Sequence, residues 1–356
     1  MTFQSQIQRE AAQISTRKTR RGWTSLSSWA AALGVGVVAL GLWAGFNRPA
    51  ADIAPYQGEI GGFAFSPFHK GESPETGVYP STAEIKSDLL FAAKYTHNIR
   101  TYTVEGDLGQ IPALAEGMKL NVTLGGWLDR HPDANAAELA KLVQVANANP
   151  DVKQIMVGNE TILRGDLTVP ELIADIDQVK AQTHVPVSTA EPWHVWLRYP
   201  QLAAHVDFIT VHLLPYWEGV PENIAVQDAM NRLTAVHDRF PTKRIVIGEI
   251  GWPSDGIDIG AARANNINQA RFMRDFFNLA AKDHIDYFVM EAFDQPWKTS
   301  FEGRAAGYWG MFTLDRAPKW SLTGPVENNP DWFRYAAGAG FASLLVTMLL
   351  DRKSVV

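Results

Sequence analysis

Val152-Lys153-Gln154-Ile155-Met156-Val157-Gly158-Asn159-Glu160 and Arg244-Ile245-Val246-Ile247-Gly248-Glu249-Ile250-Gly251-Trp252-Pro253-Ser254 follow one plan. Each carries a short apolar, largely β-branched stretch that suits a buried strand, Ile155–Val157 in one and Ile245–Ile247 in the other, then passes through a glycine to a glutamate. We read each run as a strand, each glycine as a turn after it, and each glutamate as delivered to the strand's C-terminal end. Positions 160 and 249 differ by 89 (249 − 160), or three repeats of about 30 residues, the usual size of a strand-helix-strand unit. Working outward from these two, further strands are expected to begin near Ile60, Asn98, Lys119, Val185, Val206 and Asp286. Amphipathic helices fall between them, among them Ser81 to Tyr95, where Ser81 and Glu84 have capping-box spacing, and Asn223 to Phe240. Eight strand-helix units between Gly58 and Pro325 predict an α/β fold, a (β/α)8 TIM barrel with a parallel sheet. Neither Gly-x-Gly-x-x-Gly nor a Walker run opens a helix, which counts against a nucleotide-binding sheet.

In such a barrel the C-terminal strand ends carry the chemistry. Two carboxyl groups facing one glycosidic bond suffice to cleave it, because one protonates the departing oxygen and the other stabilises or attacks the anomeric carbon. Glu160 after the fourth strand and Glu249 after the seventh are therefore the candidate pair. Other residues are expected around them. Asn159 can bond a sugar hydroxyl, and Arg100 at the end of strand two holds hydroxyls or braces the pair. Glu191, with Trp193 after strand five, likewise holds sugar hydroxyls or braces the pair, and is the one rival carboxylate. Tyr216, in His212-Leu213-Leu214-Pro215-Tyr216-Trp217, orients or donates to Glu249. Glu291 and Lys298 follow strand eight as substrate-binding groups or an ion pair. Trp252 and Trp297 are the favoured sugar-stacking rings, ahead of Trp193, Trp217 and Trp309.

Composition narrows the alternatives. The 32 basic and 38 acidic residues leave a net charge of −6, which argues against a nucleic-acid partner. With no cysteine there is no thiol nucleophile, thiolate metal site or disulfide, and the nine histidines show no zinc-ligand spacing. No metal or cofactor is implied. Twelve tryptophans exceed what a core needs and are suited to sugar platforms.

Leu26 to Phe46 contains Ser27 and Ser28 as its only polar side chains. As a helix it would span about 31 Å, the thickness of a bilayer's hydrocarbon core. Arg17, Lys18, Arg20 and Arg21 precede it, so the positive-inside rule keeps the N-terminus cytoplasmic and sends the following chain outside. A cleaved signal peptide is the competing reading, with Pro49-Ala50-Ala51 as a poor cleavage site. A second apolar run, Tyr335 to Leu350, contains Gly338-Ala339-Gly340 and precedes Arg352 and Lys353. It is expected to re-enter the membrane, the alternative being a helix packed on the domain. The expected organisation is a cytoplasmic basic tail (1–25), transmembrane anchor (26–46), linker (47–57), barrel (58–325), second membrane helix (335–350) and a short basic, truncated-looking tail (351–356). Membrane lipid is accordingly an expected partner.

The Val157–Glu160 and Gly248–Ser254 runs, in this order and spacing, resemble those of glycoside hydrolase family 17, the β-1,3-glucanase family, in its bacterial membrane-tethered branch. The resemblance covers Gly58 to Pro325. It implies a retaining displacement through a covalent glucosyl-enzyme ester, with Glu160 as general acid/base and Glu249 as nucleophile, acting on β-glucan. Glu160 should then occupy a drier or more negative setting, and Glu249 one rich in donors. The resemblance also implies a bacterial inner-membrane location with the barrel in the periplasm, and a membrane glycosyltransferase as partner, although the chain ends at Val356 without such a domain. Two other classes remain in view. A tethered, non-catalytic glucan-binding scaffold would be marked by loss of either glutamate. An unrelated barrel enzyme, such as a phosphosugar isomerase, would show a strand-end lysine or a phosphate site.

Overall fold

The structure, a computed structural model, describes residues 26–353. The expected basic tail (1–25) and the last three residues of the chain lie outside the described residues. Two compact units are present, one over Pro49–Asn328 and one formed by the described residues on either side of it, 26–48 and 329–353.

In the second unit, helix α1 (Leu26–Phe46) packs on the C-terminal helix Trp332–Lys353, with Trp43 stacked on Tyr335 at 5.6 Å between ring centroids. Among the described residues α1 is the one helix long and apolar enough to cross a membrane. The run expected to form a second crossing, 335–350, lies within the helix Trp332–Lys353.

The first unit is a closed barrel of eight parallel strands in sequential order: β1 (Phe63–Ala64), β2 (Asn98–Arg100), β3 (Asn121–Gly126), β4 (Val152–Asn159), β5 (Val187–Pro192), β6 (Ile209–Leu213), β7 (Ile245–Ile250) and β8 (Tyr287–Val289). Phe63 pairs with Val289, which closes the ring. Every expected strand is present and starts within three residues of its expected position. The two expected helices are Thr82–Ala92 and Glu222–Arg239. Ser81 caps the first through the expected box, its backbone N–H donating to Glu84 at 2.9 Å.

Side-chain parity shows which faces look inward. Ile155 and Val157 of β4 pack in the large cluster between strands and helices, while Met156 joins Ala190, Phe208, Val246 and Phe288 in a separate small one. The Thr210 hydroxyl touches Met156 Sδ at 3.4 Å and donates to Ser188 Oγ at 3.0 Å, so these residues share the barrel interior. Strand alternation then carries His212, two residues beyond Thr210, into the same interior, one layer nearer the C-terminal rim.

Gly158 and Gly248 are not in turns after the strands, as expected, but within them, each as an extra residue. Between Met156 and Asn159 β4 advances three residues while β5 advances two, and between Ile247 and Ile250 β7 advances three while β8 advances two. Such a bulge re-aims the side chain that follows it. With Val246 inward and Ile247 outward, regular alternation would turn Glu249 out of the barrel. The extra residue at Gly248 turns it in. Only glycine fits there, since a Cβ would lie 2.5 Å from Thr210 Cγ2. Gly158 has φ +79°, and Glu160 itself is left-handed at φ +53°, a conformation that is strained for a residue with a side chain.

Candidate active site

The barrel's C-terminal rim opens into a cleft of about 910 Å³ lined by both glutamates. His212, almost fully buried, stands between them. Its Nδ1 lies 2.7 Å from Glu160 Oε1 and 3.5 Å from Glu249 Oε2. One atom from each of Glu160, His212 and Glu249 can be chosen so that all three fall within 4.8 Å of one another. This spacing could also suit a metal ion, but Arg100 already supplies Glu249 with a counter-charge.

The two carboxyl groups have different surroundings. Glu249 accepts from Arg100 Nη1 at 3.0 Å and from the Tyr102 hydroxyl at 2.8 Å, and is almost wholly buried. Burial by itself would raise its pKa. The nearby His212 and Arg100 charges, the Tyr102 hydroxyl and Lys298 outweigh burial and hold the group below the ordinary glutamate range. Glu249 is thus kept as an anion. Glu160 is the more open of the two, with 22% of its side chain exposed, and its hydrogen-bond partner is His212. Arg100 Nη1 lies 3.4 Å from the other imidazole nitrogen. A guanidinium can only donate, so a neutral ring accepts at Nε2 and carries its proton at Nδ1, while an imidazolium carries one at both nitrogens; in either state an N–H faces Glu160.

Tyr102 permits a direct check of this arrangement. Burial first, and the neighbouring Glu249 charge next, push its phenol well above the ordinary range, so it remains a donor. Tyr102→Phe removes a bond made to the charged form of Glu249. The Glu249 pKa should rise, moving the acid limb of the kcat/KM profile to higher pH. Turnover should fall by roughly one to two orders of magnitude, in line with a lost charged hydrogen bond of about 1.5–3 kcal/mol. A pH profile of the variant that overlays wild type would refute the role.

The other expected residues divide between cleft and scaffold. Asn159, Trp193, Trp297 and Lys298 line the cleft. Asn159 Oδ1 accepts from Arg100 Nη2 at 2.5 Å, which leaves its NH2 group available to a ligand. Trp193 is held by its indole N–H to Glu218 at 3.2 Å, with Arg232 over its ring at 5.1 Å. Arg100 is buried and braces Glu249, Asn159 and the Gly248 carbonyl, so it serves the pair rather than sugar hydroxyls.

Four expectations need correction. Tyr216 does not reach Glu249. Its hydroxyl donates to the Ile257 carbonyl and its ring is enclosed by Trp252 and Trp309. Trp252 has no exposed face for stacking, because its indole N–H donates to the Arg263 carbonyl and its ring packs on Phe272. Glu191 is sealed beneath the chain after β4. It accepts from the Thr161 hydroxyl and the backbone N–H groups of Ile162 and Leu163, and burial raises it to about 7. It braces the turn that carries Glu160. Glu291 is likewise buried and bound to Lys298 Nζ at 2.8 Å, with burial raising it to about 7 against the pull of that lysine. It anchors Lys298 instead of meeting substrate.

Sequence reasoning missed Tyr102 and His212 as members of the site. The signal was strand periodicity. Tyr102 lies two residues past Arg100, and His212 two past the inward Thr210.

A closed parallel barrel with two glutamates converging at its C-terminal rim, one buried among donors and one more open, defines a glycosidase. The BtgE/BtgC glycoside hydrolase domain family model matches residues 62–310, and the chain belongs to that family. It is similar to a glucan 1,3-beta-glucosidase of Arthroderma benhamiae, at 29% identity over 74% of this chain and 92% of the relative. A glucan 1,3-beta-glucosidase of Schizosaccharomyces pombe is 29% identical over 72% of this chain and 85% of its own length. Among solved structures, the family 17 beta-1,3-glucanosyltransferase of Rhizomucor miehei superposes with a TM-score of 0.66 at 26% identity, covering 74% of this chain and 97% of the other. An active-site mutant of that enzyme has been solved in complex with laminaritriose.

Proposed function

We propose that this protein is a retaining glycosidase acting on β-1,3-linked glucan by double displacement, with Glu249 as nucleophile and Glu160 as general acid/base. The observation that carries this reading is that one carboxyl oxygen of Glu160 and one of Glu249 lie within 4.8 Å of each other. Inverting enzymes hold theirs about 6.5–9.5 Å apart to admit a water, whereas retaining enzymes close the gap to about 5–5.5 Å so that one group attacks carbon. The names of the relatives supply the linkage.

In the first half-reaction Glu249 Oε attacks the anomeric carbon while Glu160 gives its proton to the departing glycosidic oxygen. The carbon–oxygen bond breaks, a glucosyl ester forms, and Glu160 is left as a carboxylate. His212 Nδ1–H faces that new charge. In the second half-reaction Glu160 takes a proton from water or a sugar hydroxyl, whose oxygen displaces Glu249 and restores the original configuration. The NH2 group of Asn159 is free to hold the sugar hydroxyl next to the reacting carbon. Hydrolysis and transfer share the ester and differ only in acceptor, and glucan remodelling uses both.

We further propose that α1 holds the barrel on the outer, periplasmic side of a bacterial inner membrane, with the basic N-terminal tail inside. Its substrate there would be glucan delivered by a membrane glycosyltransferase.

The test is to mix the protein with defined β-1,3-glucan oligomers and record the anomeric proton signals before mutarotation, then weigh the products. First-formed β-anomer is expected, with longer oligomers wherever sugar outcompetes water. First-formed α-anomer would contradict the double displacement, and no change in any oligomer would contradict the substrate.

A further inference from the structure

The residues ahead of the barrel, expected as a linker, are docked along its outer wall. That wall is the helix Asn266–Asp283, which connects β7 to β8. Its first turn stands at the catalytic rim, where Gln269 Nε2 donates at 2.8 Å to the carbonyl of Trp252, three residues beyond Glu249. Its other end stands at the base, since only three residues separate Asp283 from the start of β8 at Tyr287. Residues 50–60 descend this wall from rim to base. Ala50 exchanges two backbone bonds with Val326, at 2.8 and 3.1 Å, and Asp52 pairs with Arg271 at 2.9 Å. Lower down, Asn278 donates to the Pro55 carbonyl at 3.2 Å and the Tyr56 ring packs on Phe277 at 5.1 Å. At the base the Ile60 N–H donates to the carbonyl of Tyr95, just ahead of β2. The outgoing chain leaves at the rim as well: Asn328 accepts from the Ile267 N–H at 3.0 Å, and its carbonyl accepts from Asn266 at 3.1 Å.

Both chain connections of the barrel unit are therefore made at the end that carries the chemistry. Ala50 comes four residues after Phe46, the last residue of α1, and four residues of extended chain reach no further than about 14 Å. A connection at the base would instead put the cleft further from the tether by the height of the wall, about 27 Å for a helix of 18 residues. Ile53 and Tyr56 are buried, so the strap is part of the barrel and does not wander as a free linker would. The side chains around the exit suit a lipid surface. Ile257 in the loop after β7 and Phe301 in the loop after β8, each 64% exposed, are the most exposed large apolar residues of the barrel unit, and these loops flank the rim end of the wall helix.

We propose that the tether holds the barrel rim-first on the bilayer, with the loops after β7 and β8 against the lipid headgroups, so that the cleft takes glucan still held at the membrane surface in preference to glucan free in solution. A reaction that lengthens or delivers glucan at the membrane must then supply the substrate, and cleavage or transfer occurs before the chain drifts away. The proposal rests on the readings of α1 as a membrane anchor and of the cleft as a glucan site, and adds to them the direction from which substrate arrives.

The chain has no cysteine, so one introduced at an exposed position takes a single fluorescent label. Asp258→Cys, in the loop after β7, reports on the rim, and Thr242→Cys, in the turn before β7, on the base. Each full-length variant is placed in vesicles whose headgroups carry an acceptor dye. Energy transfer should be greater from position 258 than from 242, and a Gly/Ser insert of about 30 residues after Arg48 should make the two alike, because such a linker wanders by roughly 30 Å. Equal transfer without the insert, or greater transfer from 242, would overturn the orientation. A second arm follows cleavage by the unlabelled protein of β-1,3-glucose trimers fixed to lipid through a spacer of about 10 Å or one of about 60 Å, shorter and longer than the wall. Rates on the two should agree within about twofold, whereas a loss of about tenfold or more on the short spacer would place the cleft out of reach and overturn the proposal. If oligomers free in solution are also left intact, the glucan reading falls while the labels still decide the orientation. Protein that does not stay with the vesicles would overturn the anchor and the orientation together.

Discussion

Glu249→Gln is expected to abolish turnover, by on the order of 10⁴-fold or more, because the amide cannot form the glucosyl ester on which the double displacement depends. The fold should tolerate the change. Glutamine keeps the shape and can still accept from Arg100 and Tyr102, although Arg100 loses its buried counter-charge. Melting temperature and circular dichroism measured beside the kinetics separate lost chemistry from lost structure. A complementary result is expected from Glu249→Ala, where truncation leaves space at the anomeric carbon. With an activated aryl β-glucoside, added azide should enter from the vacated face and give the inverted glucosyl azide. Wild-type rates in a folded Gln variant would remove Glu249 from the reaction.

Glu160→Ala should give a different pattern, and that contrast identifies the acid/base. Without a proton donor, cleavage of a natural glucan linkage should fall by about 10²–10⁴-fold. An aryl glucoside with a good leaving group needs little protonation, so its first step should be largely spared. The ester then accumulates, because no base activates water, and the kinetics should show a burst followed by a slow phase. Azide needs no base and should speed that phase, giving the retained glucosyl azide. Opposite azide stereochemistry in the two variants would be hard to explain by structural damage. An equal loss on natural and activated substrates, with no burst, would count against the assignment.

The barrel was legible in the sequence because it rests on local signals. Ile155–Val157 and Val246–Ile247 are buried by neighbours on both faces, so continuous apolar residues are tolerated and mark the strands. Ser81 with Glu84 marks a helix start through contacts within four residues. The glutamate pair was legible too, since each follows such a run at a spacing equal to whole units of the barrel.

The partners of that pair were less visible. Tyr216 and Trp252 stand close in sequence to site residues but face the layer between strands and helices, where an enclosed ring needs only one bond for its polar atom. Glu191 and Glu291 look like catalytic acids by position, and only their enclosure shows them to be braces. Tyr102 and His212 meet Glu249 and Glu160 across distances of 147 and 52 residues along the chain, contacts that no local pattern announces.

By itself, then, the sequence determined the eight alternating units, the membrane-length apolar helix and the two glutamates at strand ends, because propensity and periodicity act over a few residues. The tertiary structure alone decided that both glutamates turn inward after glycine bulges, that they share one histidine, and that one of them is held as an anion. Those features depend on ring closure and strand register, which bring side chains from β2, β4, β6 and β7 to one point.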